Sequence, residues 1–244
     1  MVKDRLISVR KYFIGKILNL ANIEYIGGHW VLLSELTTGQ QLVDLGANKA
    51  LFSKKMIERF GMKAVLVEAN KSLCALVSHE NAVVYNYAIA KNDCMLDFHI
   101  SSNDEASSII PDLQEKWEGL SPVSVQGLSW KSLLNIVGIT QVVEILKVDV
   151  EGSELDLIES FTAHDLENIK QITIEFHDWL NCNLRERTIS GIQKLVSSGF
   201  LPFTDAPSHD WPVEMLFVNS KCVRLTNMQR FLFKIYNFVT FVKY

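Results

Sequence analysis

Apolar residues open the chain at Leu6, Val9, Phe13, Ile17 and Leu20, the spacing of one helix face, which predicts a helix over residues 4–21. Gly27 and Gly28 break that pattern. From Gln40 onward, short β-type runs alternate with longer helical ones. The pattern predicts strand Leu42–Leu45, helix 50–60, strand Ala64–Glu68, helix 71–79 and strand Val83–Ile89. Met95–Ile100 continues that strand or pairs with it, and residues 101–125 are less regular. Helix Ser129–Val137, strand Glu144–Val150, helix Ser153–Phe161, strand Ile172–Phe176 and helix Leu184–Ser198 follow. Gly199 sits where a helix-ending glycine is expected. Leu201–Thr204 and Glu214–Val218 close the pattern as a pair of strands.

Strands and helices alternating at these lengths predict a doubly wound α/β domain with a mostly parallel seven-stranded sheet. The strand Glu144–Val150, apolar and flanked by helices, belongs near its centre. The organisation expected is an N-terminal helical segment (1–30), one domain (31–222) and a C-terminal amphipathic helix (223–244). In that last segment Asn227, Arg230, Lys234 and Asn237 recur at helical spacing and leave a broad apolar face. It would pack on the domain or on a second copy in a homodimer; peripheral membrane contact is the other use for such a face.

Composition narrows the function classes. With 24 basic and 28 acidic side chains the net charge is −4, which argues against a nucleic-acid partner needing a basic face. Cys74, Cys94, Cys182 and Cys222 form no C-x-x-C pair, so structural zinc is not expected and a reduced, cytoplasmic setting is. No apolar run reaches the ~20 residues a bilayer span needs.

The chemistry starts at Leu42-Val-Asp-Leu-Gly-Ala-Asn-Lys-Ala-Leu-Phe-Ser. A strand ends near Asp44, turns through Gly46 and enters a helix whose first N–H groups face a polar or anionic ligand. The second strand ends in Glu68, 22 residues after Gly46, where a carboxylate can accept both hydroxyls of a ribose. A pyrophosphate-binding turn carries glycine at the position of Asn48. The Asn48 side chain would crowd two phosphates but can bond an amino acid carboxylate, which favours S-adenosylmethionine over a nicotinamide cofactor. The G-x-S-x-G, H-E-x-x-H and P-loop signatures are absent from the sequence.

These residues resemble the FkbM family of methyltransferases. Val43-Asp-Leu-Gly-Ala-Asn is similar to its first motif and Val67-Glu-Ala-Asn to its second. Leu146-Lys-Val-Asp-Val-Glu-Gly-Ser-Glu-Leu, followed by Ile172-Thr-Ile-Glu, is the most family-specific stretch. Tyr87-Ala88-Ile89-Ala90, Ser107-Ser108 and Leu128-Ser129-Trp130 are weaker landmarks, and together these cover about residues 40–178. The chain departs in having Ala50 where the family commonly has glycine, and in lacking an aspartate near Trp130. The resemblance implies a Rossmann-like methyltransferase fold and methylation of a hydroxyl on a small-molecule or saccharide acceptor. It also implies that Asp44, Gly46 and Asn48 surround the methionine part of S-adenosylmethionine and Glu68 the ribose, with Ala47 and Ala69 also binding the cofactor. Asn86, Tyr87 and Ala88 would lie near adenine, with Asp149 between cofactor and acceptor.

A hydroxyl acceptor must also lose its proton, to a general base or through a metal. Asp149 and Glu151, like Glu175 and His177, are two apart and would share one side of an extended strand. With Asp178 they form one candidate pocket, in which His177 is the base or Asp149 with Glu151 or Glu175 holds Mg²⁺. A metal is not the expected outcome. Glu154 and Asp156 read as helix N-terminal acids. Two alternatives stand beside a methyltransferase: a nicotinamide-dependent oxidoreductase and a non-catalytic cofactor-binding module.

Overall fold

The computed structural model describes residue 18, residues 20–99, 122–178, 182–204, 214–231 and 233–234. Its centre is a seven-stranded sheet built on β3 (Gln41–Leu45), β4 (Lys63–Val67), β5 (Ala82–Tyr85), β9 (Val143–Val148), β10 (Ile169–Glu175), β11 (Phe200–Phe203) and β12 (Glu214–Asn219). The spatial order is β11-β12-β10-β9-β3-β4-β5. All neighbours run parallel except β12, which is antiparallel to both β10 and β11. This is a mostly parallel Rossmann-like sheet, as the alternation predicts.

The central strands β3 and β9 are buried along their whole length, because helices cover both faces. Alternation sorts their side chains. Val43, Leu45, Val65, Val67, Leu146 and Val148 pack on one face, with Leu133 of α3 (Trp130–Val137), Leu155 and Ile158 of α4 (Glu154–Ser160) and Leu195 of α6 (Arg185–Ser197). Leu42, Ala64, Leu66 and Ile145 pack on the other, with Phe52, Met56 and Ile57 of α1 (Leu51–Phe60).

The N-terminal segment differs from expectation. Residues 18, 20 and 21 are helical, but Ile23–Ile26 (β1) and His29–Leu32 (β2) form an antiparallel hairpin where 1–30 read as helical. Ile-Glu-Tyr-Ile-Gly-Gly-His-Trp-Val-Leu is two β runs about a Gly-Gly turn, and the helical period upstream obscured it. Gly27 (φ 58°) and Gly28 (φ 100°) supply the positive φ of that turn. A Cβ at Gly27 would come within 2.7 Å of the Phe52 backbone, so the turn lies directly against the start of α1. Gln171 on β10 fixes the other end: its side chain accepts from Leu32 N and donates to Leu32 O, both at 2.9 Å. Trp30 and Leu32 join Phe203, Leu216 and Val218 in a third apolar cluster, completed by Val223, Leu225 and Phe233 from the C-terminal segment.

Other expectations shift in detail. Helix 71–79 is a single turn, α2 (Lys71–Cys74), capped by Asn70. Strand Val83–Ile89 breaks at Asn86, whose side chain donates to the Glu68 and Ala69 carbonyls. Beyond it β6 (Ala88–Ile89) enters a separate sheet with β8 (Val123–Leu128) and β7 (Cys94–Phe98). Helix α5 (Ala163–Glu167), with a Thr162–Asp165 capping box, was not foreseen. Residues 227–231 and 233–234 are helical, and Gln229 donates to Ala21 O and Ser34 Oγ, so the start of the C-terminal helix packs on the domain. The helix expected before residue 18, Ser107-Ser108 and the helix expected after residue 234 lie outside the described residues. No helix among the described residues is long and apolar enough to cross a membrane.

Replacing Gln171 by methionine keeps its volume but strands the buried Leu32 N–H and C=O. Urea unfolding is expected to show a loss of about 2–5 kcal/mol; an unchanged midpoint would mean the hairpin does not depend on this clasp.

Candidate active site

The chain leaves β3 for β4 and β5 on one side and returns to β9 on the other. The crevice at the carboxyl ends of β3 and β9 is therefore the switch point where ligands bind in doubly wound sheets. A cleft of about 420 Å³ opens there.

Its floor is a buried charge cluster. Lys147 lies beside Asp44 in the β9–β3 register, and its Nζ stands 3.2 Å from Asp44 Oδ1, 3.3 Å from Asp149 Oδ2 and 2.6 Å from Gly46 O. Ser53 Oγ donates to the other Asp44 oxygen at 2.6 Å. Burial opposes the Lys147 charge, but the two carboxylates outweigh it and hold the ammonium above its ordinary pKa. A Cβ on Gly46 (φ 74°) would lie 1.7 Å from Asp149 O. The glycine is thus required by the neighbouring loop as much as by any ligand.

Glu68 forms one wall. Its Oε2 accepts from Asn48 N and its Oε1 from Asn70 N, both at 2.7 Å, so it ties together the loops after β3 and β4. Burial raises its pKa against those N–H bonds and the pull of Lys147. Asn48 (φ 49°) and Ala50 (φ 57°) hold left-handed conformations in the loop below it. The alanine bears strain that glycine would not.

The opposite end is acidic. Glu151 (φ 52°) has left the extended conformation, so the two-residue alternation with Asp149 does not apply, yet both line the cleft with Glu175. His177 stands behind them, with Nδ1 2.8 Å from Glu154 Oε1 and Nε2 3.2 Å from Glu151 Oε2. Burial works against its charge, but the Glu154 bond and the fields of Glu154, Glu151 and Asp149 push its pKa up to about 10. Burial, with Asp149, Glu154 and Glu175 nearby, pushes Glu151 up to about 7 against the pull of His177. With a carboxylate against each ring nitrogen His177 is held toward its charged form, a setting that does not favour the base suggested there from the sequence. One donor atom each from Asp149, Glu151 and His177 lies within 4.8 Å of the others. A divalent ion at that point would have to displace the His177 proton and compete with Lys147 for Asp149.

Of the residues singled out in the sequence, Gly46, Asn48, Glu68, Ala69, Tyr87, Ala88, Asp149, Glu151 and Glu175 line the cleft. Asp44 does not: it is fully enclosed beneath the floor, where its role is to hold Lys147 and Ser53. Ala47, Asn86, His177 and Asp178 also lie outside the lining. Glu154 is more than a helix N-terminal acid, since its Oε1 accepts from Val150 N, Gly152 N and His177. Asp156 pairs with Arg187, away from the cleft. Sequence reasoning missed Lys147, whose signal was a lone charge inside an apolar strand, and the lining residues Gly27, Gly28, His29 and Phe98. Glu214 was missed as well; its Oε1 lies 3.0 Å from His29 Nδ1 and accepts from Thr173 Oγ1 at 2.8 Å.

A family model described as the methyltransferase FkbM domain matches residues 44–187. Among solved structures, the chain is similar to a precorrin-6y C5,15-methyltransferase from Geobacter metallireducens (10% identity, 75% of this chain and 81% of that one, TM-score 0.40). It is also similar to an rRNA methylase from Streptococcus thermophilus (9% identity, 75% and 86%, TM-score 0.41). A third is the Methanococcus jannaschii fibrillarin pre-rRNA processing protein (10% identity, 83% and 72%, TM-score 0.41). No curated protein matches the chain.

The His177 environment makes a signed pH prediction. A folded-state pKa near 10 against an ordinary value of 6.5 means the bound proton stabilises the fold. That contribution is full below pH ~6.5 and drains away as pH rises through ~10. The stability deficit of His177→Asn, measured by urea unfolding, is expected to shrink across that window; a pH-independent deficit contradicts a buried imidazolium.

Proposed function

The chain belongs to the FkbM family of methyltransferases, and on that footing we propose that it moves the methyl group of S-adenosylmethionine onto a hydroxyl oxygen of a small-molecule or saccharide acceptor. The observation that carries this reading is the division of the cleft, with Glu68 and the Asn48 loop at one end and Asp149, Glu151 and Glu175 at the other. At the first end, Glu68 has lone pairs left for ribose hydroxyls after its two backbone bonds, and Asn48 lines the cleft beside it. Tyr87, Ala88, Leu73 and Phe98 give a flat base an apolar surround. These residues fit S-adenosylmethionine, which when bound supplies a methyl carbon activated by a sulfonium. Asn48 in place of glycine disfavours a pyrophosphate.

At the other end the protein positions the acceptor rather than the cofactor. Three carboxylates accept hydrogen bonds from a polyol and repel phosphate or carboxylate groups on an acceptor, while Lys147 beneath them is already committed to Asp44 and Asp149. The net charge of −4 likewise favours a small acceptor over a nucleic acid. Most of the chain's contribution is alignment: a hydroxyl held in line with the sulfonium carbon gains the advantage of a fixed geometry.

Isothermal titration is expected to show saturable binding of S-adenosylhomocysteine, weakened roughly 10- to 100-fold in Glu68→Gln. Turnover on a panel of glycosides and other hydroxylated compounds, read as S-adenosylhomocysteine release, should persist in EDTA. Binding of NADH with none of S-adenosylhomocysteine would select the oxidoreductase reading instead. Cofactor binding without turnover on any hydroxyl acceptor would select the non-catalytic one.

A further inference from the structure

We propose that His29, oriented by Glu214, is the base that takes the proton from the acceptor hydroxyl. The inference rests on the O-methyl transfer just described and assigns a residue to its proton. Neither member lies within residues 44–187, so both come from parts of the chain outside the family match.

His29 opens β2 just after the Gly-Gly turn and lines the cleft although it is almost wholly buried. Its Nδ1 lies 3.0 Å from Glu214 Oε1. That oxygen already accepts the Thr173 hydroxyl, and a carboxylate only accepts, so Nδ1 carries the hydrogen. The tautomer this fixes leaves the Nε2 lone pair free, on the side where Asp149 Oδ2 stands 3.9 Å away. The ring is held edge-on against Phe52 at 5.3 Å between centroids. A carboxylate fixing one imidazole nitrogen while the other faces the reacting group is the arrangement that general-base catalysis requires.

The charged groups around His29 are Glu214 from β12, Asp149 after β9 and Glu175 at the end of β10, with Lys147 of β9 3.3 Å from the same Asp149 oxygen. The other histidine of the site cannot take this role, because Glu154 and Glu151 occupy both of its ring nitrogens. Glu151 faces the cleft but is committed to that imidazolium. In the transfer, the acceptor oxygen bonds the methyl carbon and the carbon–sulfur electron pair stays on sulfur. The hydroxyl proton passes to Nε2, from which it returns to solvent.

Nitrogen-15 imidazole spectra of the wild-type protein with S-adenosylhomocysteine bound test this without any acceptor. The His29 resonances are identified by their loss in His29→Gln, or by their shift in Glu214→Gln should the first variant not fold. The expected result is a ring protonated on Nδ1 and bare on Nε2; a ring protonated on Nε2 overturns the proposal. On any hydroxyl acceptor found by the panel, His29→Gln should lower kcat about 10²- to 10⁴-fold. Its affinity for S-adenosylhomocysteine should stay within about threefold of wild type. A kcat near wild type, with Glu151→Gln inactive, would move the base to Glu151. Failure of S-adenosylhomocysteine to bind the wild type would instead count against the methyltransferase reading itself.

Discussion

One ammonium group, the Nζ of Lys147, organises the crevice. It sits on a strand buried from end to end, where an unpaired charge would cost several kcal/mol. A carboxylate 3.2 Å away returns about 5 kcal/mol at an effective dielectric near 20, so a single pair would do little more than break even. Two carboxylates and the Gly46 carbonyl tip the balance. By engaging Asp44 on β3, Gly46 in the next loop and Asp149 beyond β9, Lys147 fixes the two loops whose separation defines the cleft. Gly46 permits that closeness, since any side chain there would collide with the Asp149 backbone.

From that node the cleft acquires two unlike ends. Glu68 spends two hydrogen bonds tying adjacent loops and keeps its remaining lone pairs for a ligand. At the far end, Asp149, Glu151, Glu175 and Glu214 surround two histidines with opposite fates. His177 is enclosed by carboxylates on both nitrogens, which favour its charged form and tie it to Glu151 and Glu154. His29 has a carboxylate within hydrogen-bond distance on Nδ1 alone, with Asp149 3.9 Å from Nε2.

Much of the fold was legible because its signals are local. Continuous apolar runs gave the buried strands, and Gly199, with positive φ, closed the helix before it as expected. The cleft was legible at Glu68 and Asp149 because both sit at strand ends, where topology alone places them. Asp44 misled for the same reason: position said ligand, but its partners Ser53 and Lys147 come from elsewhere and enclose it. His29 and Glu214 are 185 residues apart and meet only when the hairpin docks across β10 and β12, so no spacing rule could pair them. The state of His177 was hidden because it depends on Glu154, which a helix-terminus argument had already explained.

The most direct test of this account is Lys147→Met, which keeps the stem and removes the charge. Urea unfolding combined with S-adenosylhomocysteine titration should show a loss of about 3–5 kcal/mol and a large fall in affinity, as the fully buried Asp44 is left without a counter-ion and Asp149 loses its closest one. A variant as stable as the wild type that binds S-adenosylhomocysteine equally well would show that the crevice holds its shape without that ammonium.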